Sequence, residues 1–210
     1  MKSSRGGIIA LKLDFRKPFD TMSWQFICNV NSLFVFDSVF ITWVKVILCS
    51  AHISILLSGS PEGYFDCSRG VRQRDPLSAI IFSIDEEYLS RLFCIMASNG
   101  KMGSISAGRD LHAPTHLLYA DDIILFTKGD KRNISNIKRA LFHYEKVSGQ
   151  EISWGKSFVY FGRGISITMM LDIIRGLGIQ EGSLPFNYLG VSLFWGRPKA
   201  CYISDIIRNI

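Results

Sequence analysis

Apolar and polar positions along the chain change period several times, and each change marks an element. Ile8 to Phe15 is an apolar run interrupted by Lys12 and Asp14, which reads as a strand. Pro18 then breaks regular structure. Asp20 or Ser23 can cap a helix through Trp24, Phe26, Ile27, Val30, Leu33 and Phe34, whose spacing is roughly helical. A second helix starts at Asp37 or Ser38 and runs to about Cys49. His52 to Leu57 predicts a strand, and Gly59-Ser60-Pro61-Glu62-Gly63 a turn, after which Tyr64 to about Val71 pairs back. Pro76 suits the first turn of a long helix reaching about Ala97, and the chain turns at Asn99-Gly100. Leu117 to Tyr119 and Ile123 to Phe126 flank Ala120-Asp121-Asp122 as a tight hairpin. Ile134 to Val147 is an amphipathic helix, Ser157 to Phe161 and Tyr188 to Phe194 are short strands, and the tail patterns weakly. The element order predicts an α+β fold, a sheet with helices on one face.

Composition narrows the class. The 210 residues fit one domain, by a prior of ~150 residues per domain. With 48% hydrophobic residues there is enough apolar side chain for a core, which excludes a disordered chain. A net charge of +6 permits a polyanionic partner without demanding one. Cys28, Cys49, Cys67, Cys94 and Cys201 are widely spaced and form no CxxC pair, which argues against a disulfide framework or structural zinc and for a reducing compartment. The N-terminal apolar stretch is broken by Lys12 and Asp14 and makes a poor signal peptide. The window from Val39 to Leu57 carries Lys45 near its middle, and a central lysine costs ~2.5–3.5 kcal/mol on insertion scales. The expectation is an intracellular protein, nuclear or cytoplasmic, neither secreted nor in a membrane.

Three carboxylates stand in unusual places. Asp121 and Asp122 are adjacent in a hairpin between the apolar strands LLYA and IILF, and Asp14 ends a strand that would be central in the sheet. Adjacent carboxylates repel, and burying both needs a neutralising cation. Each aspartate taken alone has a plain alternative, turn chemistry for the pair and a cap or surface position for Asp14. Together, a strand end and a hairpin tip can gather three carboxylates, a set that suits hard divalent ions such as Mg²⁺. Two such ions ~3.5–4 Å apart can activate an attacking oxygen and stabilise a leaving one at phosphorus.

LDFRKPFD (Leu13 to Asp20), RGVRQRDPLS (Arg69 to Ser78) and LLYADDIILF (Leu117 to Phe126) resemble three successive motifs of reverse transcriptases, most closely those of non-LTR, LINE-type retrotransposons of the plant kind. VSGQEISWGKS (Val147 to Ser157) and FNYLGVSL (Phe186 to Leu193) resemble the two segments that follow. The resemblance implies a polymerase palm, a ferredoxin-like βαββαβ sheet with helices on one face, over residues 1–195. Residues 196–210 would be a tail or the start of a truncated connection. It further implies that Asp14 and Asp121 hold two Mg²⁺ ions, with Asp122 assisting and the Phe15 carbonyl as a backbone ligand. Phe19 would stack under the incoming sugar and exclude a 2′-hydroxyl, or else is a core aromatic. Gln73 would lie against the base and sugar. Arg72 would sit near the template or nucleotide, or is a solvated charge. Lys156 resembles a lysine proposed to protonate the leaving pyrophosphate, though an ordinary surface lysine reads as well. The partners implied are an RNA template, a DNA primer and deoxynucleoside triphosphates.

The chain departs from that pattern. Pro18 replaces the usual alanine and removes one backbone N–H donor from the turn that cradles the triphosphate. Arg74 replaces a glycine, adding bulk where φ > 0 and close backbone approach are used. The chain begins close to Asp14 and ends soon after Leu193, which reads as a truncated palm with impaired nucleotide binding. The alternatives are a palm that binds nucleic acid through the basic residues from Lys128 to Arg139 with Lys146, or a product without function.

Overall fold

The structure is a computed structural model and describes residues 7–108, 111–194 and 196. The tail expected at 196–210 therefore lies outside the described residues apart from residue 196. Strand β1 (Ile8–Asp14) alternates buried and half-buried positions, so Ile9, Leu11 and Leu13 point to one face while Ala10, Lys12 and Asp14 point to the other. Pro18 does not end regular structure. It opens the one-turn helix α1 (Pro18–Thr21), because its fixed φ and missing N–H suit a first turn. Ser23, not Asp20, caps α2 (Trp24–Leu33) by accepting from the Phe26 N–H. Asp37 caps α3 (Ser38–Cys49) in the same way.

The ribbon β2 (His52–Leu57) and β3 (Ser60–Asp66) forms its own two-stranded sheet. Asp75 and Pro76 start α4 (Pro76–Ser98). A second small sheet pairs β4 (Ser106–Gly108) with β5 (Leu111–His112). The hairpin β6 (His116–Tyr119) and β7 (Asp122–Lys128) follows, then α5 (Lys131–Ser148), β8 (Phe158–Phe161), α6 (Ile167–Leu177) and β9 (Gln180–Glu181). The run from Tyr188 to Phe194 is not one strand. It bends into β10 (Phe186–Tyr188) and β11 (Val191–Leu193), because Leu189 and Gly190 both take positive φ, 51° and 77°, as a tight I′ hairpin turn requires.

The main sheet has the order β6-β7-β1-β8-β9, antiparallel except where β8 meets β9. Four of its five strands, β6-β7-β1-β8, reproduce the ferredoxin-like βαββαβ topology expected. Ile9, Leu11, Leu13, Ile123, Leu125 and Val159 share one core with the buried residues of α2 to α6. The opposite, open face carries Lys12, Asp14, Asp122, Tyr119 and Tyr160. The β10–β11 hairpin covers part of that face, with Phe186 stacked on Tyr160 at 3.9 Å between ring centroids. Helices thus line one face, and the α+β palm-like class holds. Among the described residues no helix is long and apolar enough to cross a membrane.

Candidate active site

Asp14 ends β1 directly opposite Asp122, the first residue of β7. Its backbone is held on both sides by one turn. The Asp14 N–H donates to Ser157 Oγ at 3.1 Å, and the Asp14 carbonyl accepts from the Ser153 N–H at 2.8 Å. Ser157 is fully buried and its hydroxyl donates to the Ser153 carbonyl. The preceding VSGQ stretch has a related role. Gln150 accepts from the buried Tyr144 hydroxyl and donates to the Pro18 carbonyl, so α5 is tied to the turn that follows Asp14.

In the β6–β7 hairpin, Tyr119 pairs with Asp122 and leaves Ala120 and Asp121 as the loop. Ala120 has φ 51° and Asp121 does not share the left-handed region, the pattern of a II′ turn. Asp121 is therefore exposed at the tip, and Asp122 is half-buried. Lys12 Nζ lies 3.2 Å from Asp122 Oδ1, and the Tyr188 hydroxyl donates to the Asp122 carbonyl at 3.0 Å. Glu86 of α4 is pushed up to about 8 by burial and, secondarily, by the charge of Asp121. Its neighbour Asp85 is fully buried, neither of its oxygens has a hydrogen-bond partner, and burial pushes it too up to about 8.

The residues expected to bind nucleotide divide between two hollows. Phe19 stacks on Phe82 at 4.4 Å and, with Glu86, Ser90, His116 and Ala120, lines a groove of about 630 Å³ beside the hairpin tip. Arg72 and Gln73 line a separate hollow of about 370 Å³ with His52 and Cys67. There Gln73 Nε2 donates to Asp20 Oδ1 at 2.9 Å, and Arg72 donates to the Ser50 carbonyl at 3.4 Å. The loop before them is locked by Gly70, which has φ 82°; a Cβ there would lie 2.7 Å from the Asp20 carbonyl oxygen. Arg74 adopts φ 65°, so the position where the resemblance expects glycine does take the left-handed conformation. The Phe15 side chain is buried in the core, and Lys156 is exposed on a 3₁₀ turn, Trp154–Lys156. Of the basic residues considered for a phosphate-facing helix, Lys131 pairs with Asp172 at 2.8 Å and Lys138 donates to the Gly176 carbonyl, so part of that charge is used within the fold.

The expected gathering of three carboxylates is incomplete. The donors are hard oxygens of the right kind for Mg²⁺, but among the described residues no three His, Cys, Asp or Glu side chains converge to hold a metal ion. Asp122 instead has an ammonium at its Oδ1. As arranged, the residues do not form a cation-holding group.

A sheet of this topology with its acids at the head of the open face is a polymerase palm in architecture. Comparison with known proteins makes the family specific. The reverse transcriptase (RNA-dependent DNA polymerase) family matches residues 1–193, and the chain belongs to it. The chain is 31% identical over 95% of its length to a retrovirus-related Pol polyprotein from the type-1 retrotransposable element R2 of Popillia japonica, covering 34% of that protein. It is 25% identical over 87% of its length to an uncharacterized protein of transposon TX1 from Xenopus laevis, covering 13% of it. An uncharacterized mitochondrial protein of Arabidopsis thaliana matches 36% of the chain at 35% identity, over 62% of its own length. The chain thus spans less than two thirds of each of these relatives. The solved apo telomerase from Candida tropicalis overlays 91% of the chain with a TM-score of 0.62 at 13% identity, a likeness of fold, and the chain covers 32% of it.

Sequence reasoning missed Lys12, Glu86, Ser157 and Tyr188 as neighbours of the acids. Lys12 had a readable signal, two residues before Asp14 and so on the same strand face. Glu86 had none, since its proximity to Asp121 arises only when α4 packs beside β6.

Proposed function

We propose that this chain is the palm of an RNA-directed DNA polymerase from a non-LTR, LINE-type retrotransposon of the plant kind. The observation that carries the reading is Asp14 facing Asp122 across the β1–β7 ladder, with Asp121 at the adjoining hairpin tip. The R2 and TX1 relatives and the plant match support the source. The substrates are an RNA template, a DNA primer and deoxynucleoside triphosphates. Asp14, Asp121, Asp122 and the Phe15 carbonyl would be the oxygen donors to Mg²⁺, after rearrangement of the open geometry. Phe19 would exclude a 2′-hydroxyl by its ring volume, while Gln73 and Arg72 would contact base and template and Lys156 would donate a proton to pyrophosphate. Arg74 and Pro18 weaken nucleotide binding in this copy. Extension of a DNA primer on RNA and on DNA templates tests the reading. Mg²⁺-dependent extension on RNA supports it, and extension on DNA alone contradicts it.

A second reading is a palm that holds nucleic acid without catalysis, favoured by the ammonium of Lys12 at Asp122. RNA binding that falls steeply with salt and survives Asp121→Asn would favour it.

A further inference from the structure

Helix α5 sorts its charges by face. Lys131 pairs with Asp172 and Lys138 donates to the Gly176 carbonyl, both on the flank that meets α6. The inner face, with Ile134, Ile137, Leu141 and Tyr144, is buried in the core. The remaining face turns away from the sheet and so away from Asp14 and Asp122. Arg132, Arg139 and Lys146 are exposed there and make no hydrogen bond or ion pair among the described residues. They recur every seven residues, so they fall nearly in line, about 10.5 Å apart at a rise of about 1.5 Å per residue. The one acid of α5, Glu145, is engaged elsewhere, because its Oε1 accepts from the Ile152 N–H at 2.7 Å.

Phe142 lies three residues after Arg139 and four before Lys146, hence on the same face, and is 66% exposed. An exposed phenylalanine by itself is ordinary. This one stands between two unpaired cations. Among the described residues no ring or cation covers it, whereas the Phe34 ring carries the Arg91 guanidinium at 4.3 Å. A row of cations attracts phosphates, and a free aromatic face among them is a platform for an unstacked base. In a duplex the bases stack on one another, so the row and the ring together suit a single strand. We propose that the outer face of α5 is a docking surface for single-stranded nucleic acid, with Arg132, Arg139 and Lys146 on phosphates and Phe142 under a base. The contact lies behind the sheet and is separate from any made at Asp14 and Asp122. It goes beyond both readings above: primer extension reports on the open face, and its failure leaves this surface standing.

The test uses the whole 210-residue chain with fluorescent oligouridine and oligothymidine, and follows anisotropy over a salt series. Changing Arg132, Arg139 and Lys146 together to Gln should reduce the slope of log affinity against log salt by about 2, at about 0.7 per phosphate contact on a single strand. Phe142→Ala should weaken binding about tenfold and leave the slope unchanged. Lys131→Gln, which removes an ammonium already held by Asp172, should behave as the parent. Either oligomer bound in this way supports the proposal, and the tighter of the two identifies the sugar. A slope unmoved by the triple change, or Phe142→Ala binding equal to that of the parent, overturns it. So does Phe142-dependent binding to phosphatidylserine vesicles with no binding to either oligomer, which would make the face a membrane contact. Should a variant not fold, photo-cross-linking of 4-thiouridine-substituted oligouridine to the unsubstituted chain decides. Attachment on α5 supports the proposal, and attachment only elsewhere overturns it.

Discussion

Asp14 and Asp122 face each other across the β1–β7 ladder, each at the end of an apolar strand. Like charges directly opposite are unfavourable by about 0.2–1 kcal/mol. Asp14→Asn, which leaves the Lys12–Asp122 pair intact, should therefore raise the stability of the metal-free chain by a few tenths of a kcal/mol. Urea unfolding measures it, and a loss of stability would mean that the pair is not repulsive.

Asp85 gives the fold a pH dependence. It is fully buried, both oxygens lack partners, and its carboxyl is raised from 3.8 to about 8 by desolvation. Cys28 of α2 and Tyr144 of α5 feel its charge, and Glu86 beside it is raised as well. A raised carboxyl binds its proton more tightly folded than unfolded, so its contribution is full below about pH 4 and is lost as pH rises to about 8. Asp85→Asn keeps the volume and removes the titration. It should flatten the fall in stability between pH 5 and 8 and leave a smaller slope from Glu86. Unfolding curves across that range decide it, and an unchanged slope would refute the assignment.

Among the described residues six non-glycine positions carry left-handed φ, and two of them lie in the motifs that carry the site. Arg74 has φ 65° and Ala120 has φ 51°. That conformation costs an L-residue about 1–2 kcal/mol, part of which glycine gives back in chain entropy. Arg74→Gly and Ala120→Gly should each stabilise the chain by about 0.5–1 kcal/mol, read as an increase in melting temperature. Alanine at 74 should bring no such gain, which separates relief of strain from mere loss of the arginine side chain.

Ser157 anchors Asp14 from a buried position. Ser157→Ala leaves the Asp14 N–H without its acceptor and should destabilise by about 1–3 kcal/mol. Faster hydrogen exchange of the Asp14 amide is the specific readout. A Ser157→Ala chain whose Asp14 amide stays protected would show that another acceptor takes over.

Much of this arrangement was legible in the sequence because it follows from local rules. Period-two burial in β1, caps at Ser23 and Asp37, proline at the start of α4 and the short hairpin at Asp121 need only near neighbours. The misses have physical causes. Helix α6 is not among the elements expected from the sequence, although Ser166 caps it and Gly178 ends it. The Tyr188–Phe194 run reads as one strand in sequence because left-handed φ at Leu189 is not announced by a leucine. For the site, the motifs pointed to the acids, and Asp14 and Asp122 do meet. What spacing could not show is that Lys12 reaches Asp122, or that Gln73 turns to Asp20 and so falls in a different hollow from Phe19.

In the proposed function Asp14, Asp121 and Asp122 are the working acids of an RNA-directed DNA polymerase palm. Single-nucleotide extension of a DNA primer on an RNA template, with Mg²⁺ and the Arg74→Gly, Pro18→Ala chain, tests it most directly. Incorporation should exceed that of the parent chain and disappear in Asp121→Asn. Absence of incorporation from the doubly restored chain, or incorporation that persists without the Asp121 carboxylate, would contradict it.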